Sequence, residues 1–154
     1  MSINGLFRKQ FEEALEANNP EAHYLEGRRY ACWEKDIVMA KKHIFKAVNK
    51  VDEATFVMAM LTICSSEKEL GEFFSDQLFA LPWVEVLAMG DSVFASLERM
   101  CVCGGTAYAQ TWNGAHPPCE EIHNIYNRCE ECYIFWCSKE FAVVVNMHNR
   151  INWY

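Results

Sequence analysis

Residues 23–32 read HYLEGRRYAC and residues 55–64 read TFVMAMLTIC. Laid over each other at an offset of 32, Tyr24 falls on Phe56, Leu25 on Val57, Gly27 on Ala59 and Cys32 on Cys64. Both stretches carry apolar residues at helical spacing, and each leads through a capping residue into a second helical pattern. A small residue at the same place in each copy lets two antiparallel helices approach closely, while its large neighbours fill the gap between pairs. One such pair cannot bury its apolar face alone, so copies stack. The block therefore predicts antiparallel helical hairpins.

Outward from this block, the punctuation is that of helices. Asn19 is placed to cap and Pro20 to occupy the first helical position of a helix running to about Trp33, with Ala22, Tyr24, Leu25 and Ala31 turned to a partner. Asp36 can cap a third helix through about Asn49, with Val38, Ile44, Phe45 and Val48 inward. Asp52 starts a fourth through Phe56, Met60 and Ile63. Ser66 and Glu69 have capping-box spacing and would open a fifth through Phe73, Phe74 and Leu78. Pro82 starts a sixth with Val84, Leu87, Val93, Phe94 and Leu97. Ahead of them all, residues 6–17 set Phe7, Phe11, Ala14 and Leu15 on one face. Nothing before residue 100 alternates with period two. The predicted fold is mainly α, divided into a helical repeat-like domain at 1–100 and a cysteine-rich tail at 101–154. In the tail a terminal helix from Ser138 to about Asn149 would be capped by Ser138, with Phe141, Val144, Val145 and His148 at helical spacing and a short strand over Val143–Val145 as the alternative.

The chain has 154 residues, 51% hydrophobic and 23% charged, with net charge −7. That length suits one domain, or one with a small appendage. Residues 1–100 carry −5 and residues 101–154 carry −2, so no basic half is hidden by the total. A general nucleic-acid binder, which takes its affinity from Lys and Arg on phosphates, is disfavoured. No apolar run approaches the roughly 18 residues of a membrane span, and the charged start reads as no secretion signal. The expected location is cytoplasmic or nuclear.

Cysteine is the uneven residue. Of eight, Cys32 and Cys64 lie in the helical block, where a thiol on an apolar face packs as a small hydrophobe. His23 and His43 read as surface or satisfied core residues. The other six follow C-x-C-x15-C-x9-C-x2-C-x4-C from Cys101 to Cys137. Cys129 and Cys132, two residues apart, can turn both sulfurs onto one tetrahedral ion, and thiolates favour zinc. In a reducing compartment clustered cysteines point to metal before disulfide. The expected ligands of one structural zinc are Cys103, Cys119, Cys129 and Cys132, with Cys101, His123 and Cys137 as alternates. Metal-free buried thiols and a thioredoxin-type pair are the competing readings; the latter wants its thiolate at a helix N-terminus beside a strand. No nucleophile elbow, phosphate loop or H-E-x-x-H motif is present, and Glu120–Glu121 and Glu130–Glu131 read as solvated acids. No catalytic residue is assigned.

NPEAHYLEGRRY (19–30) with its second helix, followed by EATFVMAMLTICSS (53–66), resembles the Sel-type, tetratricopeptide-like region of a group of plant F-box proteins. CEECYIFWCSKEF (129–141) is similar to the cysteine-rich tail such proteins carry. Only eighteen residues precede Asn19, and LPWVEVL (81–87), which superficially resembles an F-box opening, follows the repeats and reads as a Pro-started helix. The resemblance implies a substrate-recruiting adaptor without an F-box: a non-enzymatic module that binds protein, in an oligomeric state left open. The runner-up is a ubiquitin-ligase component using a degenerate cluster that resembles RING and MYND fingers, each lacking ligands here.

Overall fold

The computed structural model describes residues 3–99 and 129–144. Among them the chain is helical without strands: α1 (Ile3–Glu16), α2 (Pro20–Arg29), α3 (Ile37–Ala47), α4 (Asp52–Cys64), α5 (Lys68–Phe79), α6 (Trp83–Arg99) and α7 (Glu130–Val144). Asn19 caps α2 as expected, its Oδ1 accepting from the amides of Glu21 and Ala22, with Pro20 at the first position. Asp36 Oδ1 accepts from the Met39 amide and caps α3. The α2 pattern does not run on to Trp33 as an α-helix. It widens into a π-helical turn over Tyr30–Glu34, and Lys35 ends that turn in the left-handed region.

The fifth helix starts differently from expectation. Ser66 takes φ 60° just past the end of α4, with its amide donating to the Ile63 carbonyl and the Glu67 amide to that of Thr62. That is a Schellman ending for α4, and it supersedes a capping box. Glu67 precedes α5 without a side-chain cap bond.

α4 is buried nearly all round, from Ala54 through Cys64, and is the axis of the molecule. α3, α5, α6 and α7 all pack on it, while α2 packs on α3. Gly27 is the close-approach residue of the α2–α3 pair, as its place in the block predicts: a Cβ there would meet the Ile44 side chain and the Ala40 carbonyl. In the α4–α5 pair the glycine lies on the other partner, where Gly71 of α5 faces Ile63.

α7 begins at Glu130 and runs through Ser138, which is buried mid-helix and donates to the Phe135 carbonyl; it caps nothing. This is an α-helix over Val143 and Val144, not a strand. Tyr133, Cys137, Phe141 and Ala142 join the same buried cluster as α4 and α6. Tyr133 stacks edge-on to Trp83 and Phe79 and is closely met by Gly90, where a side chain would collide with its hydroxyl. The rest of the terminal helix expected to reach Asn149 lies outside the described residues.

Val38 and Phe45, expected to face inward, face outward, and so do other apolar residues of the helical patterns. Phe7, Leu25, Val38, Phe45, Phe73 and Val84 are exposed, and Leu87 lies at the surface. Their neighbours Ala40, Ile44, Phe74, Leu78, Val86 and Val93 fill the core. Among the described residues no single helix is long and apolar enough to cross a membrane; α5 and α6 qualify only as a pair, bent by 119°.

Candidate functional site

The sequence places its chemistry in thiols, and α7 positions three of them. Cys129 lies just ahead of the helix, its carbonyl accepting from the Tyr133 amide. Cys132 follows in the first turn and is buried, and Cys137 is buried further along. Cys129 and Cys132 are thus about one helical turn apart at a helix start, while Cys137, five residues on, projects from another face. Two thiols at this spacing can supply half of a tetrahedral set. Among the described residues no three His, Cys, Asp or Glu side chains converge as a metal site. Cys101, Cys103, Cys119 and His123 lie outside the described residues.

Cys32 and Cys64 pack as the sequence implies, and burial pushes their thiols up to about 11 and about 12. Cys64 lies under α7, with its Sγ 3.5 Å from the Ser138 carbonyl as donor. A thiol held protonated in this way is a poor nucleophile and a poor ligand.

The structure pairs two residues that sequence reasoning treats singly. His23 Nδ1 lies 2.9 Å from His43 Nδ1, and His23 Nε2 lies 3.3 Å from Asn18 Oδ1. One assignment satisfies both contacts: His23 donates from Nε2 to Asn18 Oδ1, and its Nδ1 accepts from His43 Nδ1–H. Tyr30 stacks on His43 with the rings 8° from parallel. Arg29, in turn, lies over Tyr30 and grips Glu26 through two guanidinium nitrogens. Burial holds both imidazoles below their ordinary range; Lys46 adds to this for His23, and His23 and Lys46 for His43, against Glu26. The pair is a strut joining the end of α1 to α2 and α3. An offset of twenty residues across two helices gives no local signal for it.

A cleft of about 280 Å³ opens between α2, the start of α4 and α6, lined by Tyr24, Arg28, Glu53 and Ser92 among others. Ligand pockets generally run from about 300 Å³ upward and enclose their ligand with apolar walls. This one is small and open, with charged and apolar side chains mixed in its lining. Another outward feature, on α3 and α5, is apolar. Phe45 of α3 and Phe73 of α5, 60% and 52% exposed, both meet buried Phe74 edge-on, at 6.4 and 5.1 Å between centroids.

No protein-family model matches this chain, no curated protein matches it in sequence, and no solved structure matches it in fold.

Proposed function

We propose that this chain is a non-enzymatic protein–protein interaction module, a substrate-recruiting adaptor related to plant F-box proteins. It works in the cytoplasm or nucleus. The observation that carries this reading is the set of large apolar side chains turned to solvent on α3 and α5 beside a filled core. Several large apolar side chains left exposed on neighbouring helices, rather than one in isolation, point to a docking surface. The tight pairing of α2 with α3 and of α4 with α5 supports Sel-type, tetratricopeptide-like hairpins. In the tail, Cys129 and Cys132 together with Cys103 and Cys119 hold one structural zinc, which the helix-start placement of the first two supports.

The test of the module is affinity capture from plant extract with the wild-type chain and with Phe45→Asp/Phe73→Asp. The expected result is a stoichiometric partner kept by the wild type and lost by the variant. Equal recovery by both, or no stoichiometric partner, overturns the reading. For the metal, elemental analysis of the purified chain should find about one zinc per molecule, and Cys129→Ser should lower it. Absence of zinc from protein purified without chelator contradicts the ligand set.

A further inference from the structure

α3 is a basic ridge on an acidic protein. Residues 35–50 hold five lysines against one acid, Asp36, in a chain of net charge −7. Asp36 is spent as the cap of α3, and Lys41 is held by Glu67 at 2.6 Å. Lys42 and Lys46 are exposed and make no ion pair among the described residues. They share a stripe with Val38 and Phe45, at helical positions i, i+4, i+7 and i+8, and all four are exposed.

Across the seam lies α5, joined to α3 by the Lys41–Glu67 pair and by the Phe45–Phe74 ring contact. There Leu70 and Phe73, 46% and 52% exposed, form the matching edge. By helical spacing the acids of α5 (Glu69, Glu72 and Asp76) fall on the stripe beyond Leu70 and Phe73, away from the buried Phe74 side. Two pairs of exposed apolar side chains, Val38 and Phe45 on α3 and Leu70 and Phe73 on α5, thus flank buried Phe74, and the α3 pair is bordered by Lys42 and Lys46, which make no ion pair among the described residues.

We infer that the α3–α5 seam docks an acidic amphipathic helix of a protein partner, its apolar residues against Val38, Phe45, Leu70 and Phe73 and its carboxylates against Lys42 and Lys46. This rests on the interaction-module reading and adds the partner's chemistry to it. A helix laid in an apolar groove presents anchors at i, i+3, i+4 and i+7 on one face, leaving its flank free to carry carboxylates toward Lys42 and Lys46. Charge of opposite sign along one side fixes the orientation and speeds encounter. An anionic bilayer is a poorer fit, because a flat surface also meets the acids of α5 and the net negative charge of the chain. A second copy of the same face is poorer still, since it sets lysines against lysines.

The experiment is fluorescence anisotropy on the full chain with a labelled helical peptide of about 18 residues, glutamate-rich with Leu and Phe at i, i+3, i+4 and i+7. A control peptide carries Lys in place of every Glu. The acidic peptide should bind with a Kd on the order of 10 μM, and the basic one at least about tenfold more weakly. Affinity should fall as salt is raised and the Debye length shrinks. Lys42→Gln/Lys46→Gln and, separately, Phe45→Ala should each weaken binding about tenfold with unchanged helical circular dichroism. Equal binding of both peptides, no binding, or binding indifferent to these variants overturns the proposal. So does tighter, Phe45-dependent binding to phosphatidylserine vesicles, or a dimer in light scattering that Phe45→Asp abolishes. If the acidic peptide fails while capture from extract still depends on Phe45, the partner's chemistry is wrong and the module stands. Failure of both removes the module as well.

Discussion

A Cβ built on Gly27 lies 2.5 Å from Ile44 Cγ1, 2.6 Å from its Cδ1 and 3.1 Å from the Ala40 carbonyl oxygen. Ile44 is fully buried and has nowhere to turn, so Gly27→Ala must push α3 away or force Ile44 off its rotamer. Overpacking of this kind costs about 1–3 kcal/mol, of which the better helix propensity of alanine returns up to about 1. Urea denaturation should show a net loss of about 1–2 kcal/mol; an unchanged or raised midpoint contradicts the packing. Gly71→Ala meets Ile63 Cγ1 at 3.0 Å and otherwise only ordinary contacts at 3.7 Å with Ile63 N and Thr62 Oγ1, so the strain and the gain in helix propensity should nearly cancel by the same measurement. Gly27 is legible in the sequence because the block aligns it with another small residue. Gly71 lies outside the block and carries no such mark. The His23–His43 pair gives a second prediction at this scale. Both imidazoles have folded-state pKa values below their ordinary 6.5, so the unfolded chain takes up protons first as pH falls. Their contribution is therefore intact above about pH 7 and is lost as pH drops below 6.5 toward the folded values. Denaturation at pH 7.5 and 5.5 should show this loss, and His43→Gln should shrink the difference; an undiminished difference assigns it to carboxylates instead.

α3 shows what periodicity can and cannot tell about an element. Its caps and length are legible, because Asp36 and the apolar repeat are local signals. Its inward face is only half legible: Ala40, Ile44 and Ala47 are buried, while Val38 and Phe45 point out. A helix with an apolar stripe for the core and another for a partner has the same composition as one wide core stripe. The starts of α5 and α7 differ from their cap templates for a related reason. Ser66 and Ser138 fit cap templates, yet Ser66 closes α4 and Ser138 packs inside α7 under the pull of tertiary contacts. α4 has no polar face because helices surround it, which its continuous apolar run Phe56–Leu61 already implies. The membership of α7 in this core predicts that Phe141→Ala lowers stability by about 3–5 kcal/mol. Circular dichroism and tryptophan fluorescence should then report the loss as one shared transition. Separate transitions, with α2–α5 as stable as before, contradict the packing of α7 on α4 and α6.

Over the whole molecule, the net charge of −7 disfavours nucleic acid but conceals an uneven surface. The lysines of α3 are visible in the sequence as a run, and their significance comes only from the neighbours the fold supplies: Phe45 and Phe73, each set edge-on against Phe74. The proposed zinc ligands are legible as a spacing at Cys129 and Cys132, whereas the rest of the set rests on the sequence alone. The central claim is that α3 and α5 form a docking face on a core that needs neither of their exposed stripes. Amide hydrogen exchange of the full chain, with and without the acidic helical peptide, tests it most directly. The account predicts added protection in Ile37–Ala47 and Lys68–Phe79, with α4, already sheltered, unchanged. Protection confined to α1 or α6, or none at a peptide concentration that saturates the anisotropy signal, would contradict it.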